Sequence, residues 1–368
     1  MALLDLPKYA QVKQAIAREI EGDRYAVGSA FPSESQLLKR FEVSRPTLIR
    51  ALQELVRDGY LDRQQGRGTF VSARWRNREE ATTVLPVFLS NSVANQVGDA
   101  RSVQMQIFEG IQTALSERQP QDGGAAYSMV LHQLASDRLD EAATRFIESL
   151  SPGVALIVEP SFNAPLWSFL LERGWSPWGL NEPVDGGQCV FIDQERAGYL
   201  ATRYLIEENR QHIALLNGPR EAYWGFPARE RGYCRAMDEA GLAIDPTLML
   251  EAEHALDSEA GRSMFGRIVD AKVPCDGIVG ATDLKAMGAM AAAMEAGRDV
   301  PRDVMFVGID NTAAFRSDPP MSSVDLPFME VGRQAIQQAF AAQCGSSPST
   351  PLQVCLQPVM FERDAKHV

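Results

Sequence analysis

The sequence predicts an α/β protein, in which a small N-terminal helical domain closed by a hairpin precedes a large two-lobed domain of doubly wound parallel sheets. Three observations predict this class. Helical spacing over residues 44–57 changes to hairpin spacing over 60–71, short apolar strands alternate with amphipathic helices from residue 84 onward, and positive charge is concentrated near the N-terminus. With 368 residues, the chain is long enough for two or three domains and a large core.

The charge of the chain differs sharply between its two parts. The whole sequence carries a formal net charge of −12. Residues 1–78 contain fourteen Lys and Arg against nine Asp and Glu, a balance of +5, whereas the remainder contains 22 against 39. This asymmetry indicates a basic module that binds nucleic acid, attached to an acidic body that repels DNA and confines contact to the basic end.

Apolar spacing and helix caps predict the first two helices. The apolar stripe of the first helix, which ends near Gly22, is formed by Tyr9, Val12, Ile16 and Ile20. Ser33 and Gln36 are spaced as a capping box, so a second helix is predicted after Pro32. The side chains that pack this helix against the next one are Leu37, Leu38 and Phe41.

A third helix has the pattern of one that enters the major groove of a duplex. Ser44 is a natural N-cap, and Pro46 lies where a missing N–H costs little. The apolar face, spaced at i, i+3, i+4 and i+7, consists of Leu48, Ala51, Leu52 and Leu55. The opposite face carries Pro46, Ile49, Arg50 and Gln53, with Arg45 at the positive N-terminal end. Arg and Gln side chains that point outward from a helix suit base edges and phosphates.

A hairpin follows Gly59 and ends this domain. Its strands are predicted over 60–64 and 69–71, and its tip is Gln65-Gly66-Arg67-Gly68. An arginine between two glycines can reach the minor groove while the helix occupies the major groove. The charged segment 73–83 has no sustained period, which predicts a linker between a DNA-binding domain of residues 1–72 and a body of residues 84–368. For residues 73–75, the alternative is a continuation of the last hairpin strand.

Residues 5 to 72 resemble the winged helix-turn-helix domain of GntR-family repressors. The matching positions are Pro32-Ser33-Glu34, Phe41-Glu42-Val43-Ser44-Arg45 with Thr47, Ala51-Leu52 with Leu55, Asp58-Gly59-Tyr60, and Gly66 with Gly68-Thr69-Phe70-Val71. Ser35 and Ile49 stand where that family usually has arginine, so the operator preference of relatives is not expected to carry over. The residues that the resemblance and the helix pattern together assign to double-stranded operator DNA are Ser33, Ser44, Arg45, Thr47, Arg50, Gln53, Arg67 and Gly68.

The rest of the chain alternates between strands and helices for almost three hundred residues. Strands are predicted over 84–89, 126–131, 154–159, 189–192, 212–217, 277–281 and 304–308, and helices near 101–118, 137–150, 164–173, 194–208, 228–241, 257–271 and 283–296. Short apolar strands between amphipathic helices specify buried parallel sheets, and so many strands fit two lobes rather than one core. In such lobes, ligands bind where loops leave the carboxyl ends of the strands.

The loops of this body resemble the effector domain of LacI/GalR-type repressors, which is similar to periplasmic sugar-binding proteins. The matching runs, spread over about residues 84 to 361, are Asp193 with Gly198, His212-Ile213-Ala214-Leu215-Leu216-Asn217-Gly218, Arg229 with Gly232-Tyr233, Gly277-Ile278 with Ala281 and Asp283, Val300-Pro301 with Asp303-Val304, Phe306-Val307-Gly308-Ile309-Asp310-Asn311, and Ser322-Ser323-Val324. Both domains together resemble the arabinose repressor class of Gram-positive bacteria. The resemblance implies three crossings between the lobes, with lobe one at about 84–190 and 328–343 and lobe two at about 191–325 and 352–361.

Arg229 and Asp310 occupy ligand-binding positions of that family. A guanidinium and a carboxylate can jointly hold vicinal hydroxyls, because each hydroxyl both donates and accepts a hydrogen bond. Inside a cleft, both charges are costly unless a polar ligand or the other charge serves as partner. The structural alternatives are an inter-lobe salt bridge for Arg229 and a cap on the following turn for Asp310.

Six further residues are ligand candidates because of their places in the loops. Tyr223 and Trp224 precede Arg229, where an aromatic face can stack on a sugar, and core packing is the alternative. Asp193 opens a helix at the lobe boundary, where a capping role explains it equally well. Loop position alone recommends three others, at the ends of the first and third strands of the body: Phe88, Ser90 and Glu159.

Sequence motifs for catalysis are missing. The chain contains no G-x-S-x-G, no G-x-x-x-x-G-K-[ST], no H-E-x-x-H and no Cys/His metal spacing, so no enzyme activity, cofactor or metal is expected. Five scattered cysteines predict reduced and mostly buried thiols. No apolar run approaches the ~20 residues of a spanning helix, and the N-terminus lacks a signal pattern, which predicts a cytoplasmic protein without membrane contact.

The function expected from these features is that of a ligand-responsive transcriptional regulator, a repressor of carbohydrate-utilisation genes. Two protomers would place two winged heads on a pseudo-palindromic operator, and a sugar would close the lobes and release the DNA. A nucleoside or another polar metabolite is an alternative effector, since Arg, Asp and an aromatic ring also suit a ribose. A transporter's sugar-binding protein would need a signal segment, and a GntR-type protein with an aminotransferase-like body would need a longer chain with a Schiff-base lysine.

Overall fold

The computed structural model describes residues 8–64, 68–73, 83–89, 103–117, 127–134, 139, 141–252, 258–344 and 350–363. The chain forms two compact units whose sequence boundary lies between Thr83 and Val84, and each unit is described by itself. Within the described ranges, no helix is both long and apolar enough to cross a bilayer.

The N-terminal unit is a winged helix-turn-helix, as predicted. Its elements are α1 (Lys8–Glu21), α2 (Glu34–Phe41), α3 (Arg45–Arg57), β1 (Leu61–Gln64) and β2 (Gly68–Val71). The two strands are antiparallel with Leu61 opposite Val71, and Ala30 forms a further bridge to Phe70. The predicted apolar faces of α1 and α3 form its core, in which Ile16, Ile20, Leu48, Ala51 and Leu55 are 0% exposed.

Lobe one of the second unit is built on a six-stranded sheet. Its strands are β3 (Thr83–Leu89), β4 (Tyr127–Gln133), β5 (Val154–Val158), β6 (Ser176–Leu180), β7 (Gln188–Ile192) and β13 (Gln353–Leu356), and its helices are α4 (Val103–Glu117), α5 (Glu141–Glu148), α6 (Ala164–Glu172) and α11 (Phe328–Cys344). The strand order is β13-β7-β6-β5-β3-β4, and the pairs from β3 to β13 are parallel. Helix α11 returns from the late part of the chain to pack on α4.

Lobe two has the same architecture. Its strands are β8 (Ile213–Asn217), β9 (Met249–Glu251), β10 (Gly277–Gly280), β11 (Met305–Asp310), β12 (Ser322–Asp325) and β14 (Val359–Phe361), and its helices are α7 (Gln194–Glu207), α8 (Gly225–Glu239), α9 (Ser258–Ala271) and α10 (Asp283–Glu295). The strand order is β14-β12-β11-β10-β8-β9, in which only β14 runs antiparallel to its neighbour. The predicted two-lobed parallel-sheet fold is therefore confirmed.

The chain crosses between the lobes three times, after β7, after β12 and between β13 and β14. Two predicted lobe limits are wrong in detail. The limit between residues 190 and 191 cuts β7, which lies wholly in lobe one because it pairs with both β6 and β13. The segment 352–361 was assigned to lobe two, but β13 completes lobe one and only β14 belongs to lobe two. Pro358 lies between these two strands, where its missing N–H ends the first ladder.

Strand β6 was not predicted from the sequence. It contains Pro177 and Gly179, residues that strands generally disfavour, yet Trp178 between them is 0% exposed. Its partner β5 pairs with it from Val154 opposite Ser176 to Val158 opposite Leu180. The position of β6 matters because the residues that follow it contribute to the candidate effector site.

Candidate DNA-binding and effector sites

The two serines predicted to contact DNA also cap the helices that follow them. Ser33 accepts a hydrogen bond from the Gln36 N–H at 3.4 Å, and the Gln36 side chain accepts one from the Ser33 N–H at 2.9 Å. Ser44 accepts from the Thr47 N–H at 3.4 Å, and the two hydroxyl oxygens are 2.7 Å apart. Both serines are exposed and Thr47 is half-buried. These hydroxyls lie at helix N-termini, where the helix dipole favours a phosphate.

One carboxylate holds two arginines of the N-terminal unit. The Arg45 side chain is 73% exposed at the start of α3 and lies 3.7 Å from Glu34. Arg63 of β1, with 59% of its side chain exposed, donates to the same carboxylate at 2.8 Å. Glu34 therefore links the start of the third helix to the wing. The sequence analysis missed Arg63 and this role of Glu34, because contact between residues 29 positions apart leaves no local signal.

Arg50 lies against the first helix. Its guanidinium carbon is 3.9 Å from the centroid of the Tyr9 ring, and its Nε is 3.7 Å from Glu54. Gln53 is exposed, and so is Gly68, which begins β2 with a φ of +107° that favours glycine. Arg67 lies outside the described residues. Thus Gln53 and Gly68 are accessible as they stand, and Arg50 is exposed as well, although its guanidinium lies against the Tyr9 ring.

Arg229 and Asp310 form a buried ion pair within lobe two. The Arg229 side chain is 3% exposed and that of Asp310 13%. One terminal nitrogen of Arg229 donates to Asp310 Oδ1 at 3.1 Å, the other donates to the Ala281 carbonyl, and Nε donates to Gln194 Oε1 at 2.9 Å. Since both partners of the pair belong to lobe two, it is not the inter-lobe salt bridge that was the alternative for Arg229. Residues from α7, β11 and the end of β10 thereby fix the guanidinium.

Two glycines let the helices that carry these residues approach each other. A Cβ added at Gly198 of α7 would lie 2.0 Å from the Arg229 carbonyl oxygen, and one added at Gly232 of α8 would lie 1.9 Å from the Glu195 carbonyl oxygen. Real Cβ atoms do not come so close to backbone, so only glycine fits at either position. The close crossing of α7 and α8 brings Gln194 within hydrogen-bonding distance of Arg229.

Asp310 is held in an unusual conformation and electrostatic environment. Its φ is +116°, and that of Asn311 is +53°; positive values are uncommon for residues other than glycine and are found at functional sites. Burial raises the pKa of Asp310 to about 7, with Asp283 adding to the rise, while Arg229 and Lys285 oppose it. A carboxyl group with such a pKa can change its protonation when a ligand arrives.

An aromatic loop reaches from lobe two to lobe one. Tyr223 is 9% exposed and packs edge-on to Phe226, with ring centroids 5.4 Å apart. Trp224 donates from Nε1 to the Asn181 carbonyl oxygen of lobe one at 2.9 Å and meets Phe191 of β7 edge-on at 6.1 Å. Burial raises the pKa of the Tyr223 hydroxyl, Arg229 opposes this rise, and the nearby carboxylates of both lobes add to it. Both aromatic candidates therefore lie where the two lobes face each other.

Lobe one contributes two buried carboxyl groups beside this loop. Glu159, which is 5% exposed and has a φ of +53°, follows β5 and accepts a hydrogen bond from Asn181 Nδ2 at 3.3 Å. Glu182, 6% exposed, accepts from the Ser161 N–H at 2.9 Å, and burial raises its pKa. Among the described residues, no Lys or Arg forms an ion pair with Glu182. Asn181 and Glu182 were missed in the sequence because they follow the unpredicted strand β6.

Comparisons with known proteins agree with both halves of this description. The family described as "Bacterial regulatory proteins, gntR family" matches residues 8–71, and the one described as "Periplasmic binding protein-like domain" matches residues 202–364. The HTH-type transcriptional regulator CelR of Thermobifida fusca is 28% identical over 327 residues, which span 88% of this chain and 89% of that protein. The arabinose metabolism transcriptional repressor of Geobacillus stearothermophilus is 25% identical over 349 residues, which span 90% of each.

The chain is a transcriptional regulator that combines a gntR-family DNA-binding domain with a periplasmic binding protein-like domain. A solved structure agrees with this arrangement at the level of fold. The transcriptional regulator CelR-cellobiose complex superimposes with a TM-score of 0.62 at 24% identity, over 88% of this chain and 91% of that chain.

Asp283 and Lys285 of the regulator form a second buried charge group beneath Asp310. Asp283 is 1% exposed and accepts from the Ser323 hydroxyl at 2.6 Å and from the N–H groups of Ala313 and Ala314 at 2.9 Å each. It thereby fixes the loop that follows Asp310, and burial raises its pKa. Lys285 is 0% exposed, with Nζ 5.1 Å from the Phe226 ring centroid. The burial of Lys285 could not be predicted from the sequence, because a lysine on a helix is normally expected to be exposed.

Two other candidates, Phe88 and Asp193, have structural roles, and a third lies outside the described residues. Phe88 is 0% exposed in the core of lobe one, where it meets Phe146 and His132 edge-on at 6.3 and 5.9 Å. Its assignment as a ligand residue is wrong, because its side chain points from β3 into the packed layer beneath the sheet. Asp193 caps α7 by accepting from the Arg196 N–H at 2.8 Å, as its structural alternative predicted. Ser90 lies outside the described residues.

Proposed function

We propose that this regulator is a repressor of carbohydrate-utilisation genes, and that it releases its operator when a sugar binds between the two lobes of the body. On the DNA side, α3 would enter the major groove with Arg45 and Gln53, and the hairpin would approach the minor groove with Gly68 and Arg67. Two protomers, paired through their effector lobes, would match a pseudo-palindromic operator, since the symmetry of the protein is repeated in the site.

The observation that carries the effector half of this proposal is the buried Arg229–Asp310 pair. Its three hydrogen bonds leave Arg229 two of its five N–H groups, and the Asp310 carboxylate has a second oxygen. Neighbouring hydroxyls of a sugar can accept hydrogen bonds from these two N–H groups of Arg229 and donate one to the second oxygen of Asp310. Tyr223 and Trp224 lie beside the pair, and a sugar presents C–H faces that stack on aromatic rings.

Two of the similar proteins support a carbohydrate effector. The relative from Geobacillus stearothermophilus is a repressor of arabinose metabolism, and one of the structures similar to this fold is a CelR-cellobiose complex. Binding of a sugar would close lobe one on lobe two and change the dimer geometry that sets the spacing of the heads. Such a ligand can shift operator affinity only by its preference between the two states, typically ~1–3 kcal/mol. A repressor of this kind works in the cytoplasm, where we place it.

Operator binding is tested with genomic fragments that carry carbohydrate-utilisation operons, in the presence of excess random competitor DNA. We expect a footprint with two related half-sites about one or two helical turns apart. Cellobiose, L-arabinose, D-glucose and D-ribose are then titrated into the complex, and at least one should weaken it by roughly 5- to 150-fold. If no fragment competes better than random DNA with any of these sugars present, the proposed function is excluded.

The effector site is tested by Arg229→Ala, with Arg220→Ala as the matched control in the same lobe. Arg220 is an exposed arginine that pairs with Glu230 at 2.5 Å, so its loss should change neither binding step. Arg229→Ala should bind the operator as the wild type does but lose release by sugar. Asp310→Asn, which tolerates the same backbone conformation and keeps an amide oxygen that can accept from Arg229, should give the same result although it removes the counter-charge of Arg229. Wild-type sugar affinity of both variants in titration calorimetry would show that the pocket lies elsewhere.

A further inference from the structure

The side chain of Gln194 is anchored at one end and, within the described part of the chain, has no hydrogen-bond partner at the other. Gln194 is 1% exposed and lies in the first turn of α7, immediately after the chain crosses from lobe one to lobe two. Its Oε1 accepts a hydrogen bond from Arg229 Nε at 2.9 Å. Its Nε2 is buried and has no hydrogen-bond partner among the residues that the structure describes.

The bond to Arg229 decides which way the amide of Gln194 points. The Nε of arginine can only donate, so the oxygen of Gln194 must face it and the NH2 group must point away. The opposite orientation would place two donors against each other. The helices cannot separate to relieve such a clash without losing their close crossing at Gly198 and Gly232. Gln194 therefore presents N–H donors in a buried place, and a buried donor without an acceptor carries its full desolvation cost.

The carboxyl groups near Gln194 disfavour a negatively charged acceptor. In lobe two, the cations of Arg229 and Lys285 are matched by the carboxylates of Asp283 and Asp310, which influence one another electrostatically. Above about pH 7, where Asp310 is ionised, no excess of positive charge therefore remains in this buried group for an anion.

Lobe one adds negative charge to the same region. The carboxylates of Glu159 and Glu182 act on Tyr223 together with Asp310, and all three raise the pKa of its hydroxyl, whereas Arg229 lowers it. A phosphate or carboxylate of a ligand would enter beside these groups and be repelled. A hydroxyl or ring oxygen is an acceptor that meets no such repulsion.

We infer that Gln194 contacts a neutral sugar, with Oε1 orienting Arg229 and Nε2 donating to a hydroxyl or ring oxygen of the ligand. The inference rests on the proposed sugar-effector function and adds a specificity to it. Neutral sugars bind, whereas sugar phosphates and uronic acids of the same size do not.

The decisive variant is Gln194→Glu, examined in the full-length chain by titration calorimetry. Glutamate has the same shape and keeps an oxygen for Arg229, but it replaces the NH2 group by a second acceptor. If Gln194 only holds Arg229, this change leaves sugar affinity unchanged or improves it. If Gln194 also contacts the sugar, affinity falls at least tenfold while the melting temperature without sugar stays at or above that of the wild type.

The matched control is Gln188→Glu at the amino end of β7. The Gln188 side chain also has a buried amide oxygen without a partner in the described part of the chain, but it lies at the end of the sheet away from the carboxyl ends of the strands. Its replacement should leave sugar affinity within twofold of the wild type. Equal losses for both variants would mean that an added carboxylate weakens binding from anywhere in lobe one or two, and would overturn the inference.

The probes are cellobiose, L-arabinose, D-glucose and D-ribose, with D-ribose 5-phosphate and D-glucuronate as anionic counterparts. The expected result is that the wild type binds one of the neutral sugars and neither anion. Unchanged sugar affinity in Gln194→Glu, or anions that bind as tightly as neutral sugars, would overturn the inference and leave the proposed function standing. A wild type that binds none of the neutral sugars would instead refute the sugar-effector function, and the inference with it.

Discussion

Asp310 combines a charge, a largely buried side chain and an uncommon backbone conformation, and this combination predicts that sugar binding depends on pH. Burial raises the pKa of Asp310 to about 7 from an ordinary value of 3.8. The folded protein therefore holds this proton more tightly than the unfolded chain does. The proton bound to Asp310 therefore stabilises the folded state below pH 3.8, and this stabilisation is lost as the pH rises through about 7.

The effect on sugar affinity has the opposite sign, because the ionised carboxylate is the better acceptor for hydroxyl groups. Sugar affinity should rise as the pH is increased from about 6 to about 8, and protons should be released on binding. Calorimetry in buffers of different ionisation enthalpy measures both quantities. Asp310→Asn should bind sugar more weakly than the wild type, and this weaker affinity should not change over the same pH range. A wild-type affinity that stays constant from about pH 6 to 8 would contradict the assignment of Asp310 as a ligand group.

Arg45 and Arg50 lie on the same helix, but their surroundings predict different effects on DNA binding. Arg45 is 73% exposed and only loosely paired with Glu34, whereas Arg50 stacks on Tyr9. If Arg45 contacts a base, Arg45→Ala should weaken operator binding by about 1–3 kcal/mol. If Arg45 contacts a phosphate, the variant should instead reduce, by about 1, the slope of the logarithm of the operator-binding constant against the logarithm of the salt concentration. Arg50→Ala should mainly destabilise the N-terminal unit, by about 0.5–1 kcal/mol. Fluorescence anisotropy at several salt concentrations and urea unfolding separate the two effects, and a larger loss of operator affinity for Arg50→Ala would contradict this ordering.

At the scale of whole helices, the crossing of α7 and α8 determines where Arg229 lies. Gly232→Ala places a methyl group 1.9 Å from the Glu195 carbonyl oxygen, so the helices must move apart. We expect a loss of stability on the order of 1–3 kcal/mol and a weaker sugar response, because Gln194 and Arg229 separate with their helices. Urea unfolding and calorimetry measure these two results.

Gly266→Ala on α9 is the control for the crossing. A Cβ at Gly266 meets no other atom within 4 Å. Alanine should therefore stabilise the protein by about 0.5–1 kcal/mol through its helix propensity, with sugar affinity unchanged. If both glycine variants behave alike, the close approach of α7 and α8 does not position the site.

Over the whole molecule, the sequence predicted what local patterns encode. The capping residues Ser33 and Ser44 and the βα alternation of the body are local, and the structure confirms them. The buried pair of Arg229 and Asp310 followed from family positions, since residues 81 apart have no local relation. The lobe limits were only approximate because the run 352–361 reads as one strand, whereas its two halves pair in different sheets.

The remaining residues of the candidate site depend on contacts that a linear pattern does not contain. Gln194 and Glu182 became apparent only through burial and hydrogen bonding. Phe88 was misassigned because the end of a strand carries both cleft-facing and core-facing side chains, and alternation alone does not tell which face is which. Position in a loop is therefore weaker evidence for a ligand contact than a buried polar side chain that is not part of the hydrophobic core.

Trp224 contacts lobe one from lobe two, and this contact predicts a role for Trp224 in closing the lobes. Its Nε1 donates to the Asn181 carbonyl oxygen at 2.9 Å, and its ring meets Phe191, so lobe two holds lobe one by a polar and an aromatic contact. Trp224→Phe keeps an aromatic ring but removes the donor, which is worth about 0.5–1.5 kcal/mol. If sugar binds the closed lobes, the variant must close them without this bond, and its sugar affinity should fall roughly two- to tenfold. Operator affinity without sugar should stay unchanged, because the DNA-binding residues lie in the other unit.

Titration calorimetry measures the sugar affinity of Trp224→Phe, and fluorescence anisotropy measures its operator affinity. Small-angle scattering of the sugar-free variant should show a larger radius of gyration than that of the wild type. A variant that binds sugar as the wild type does would mean that the bond forms equally in the open and closed states and contributes nothing to closure.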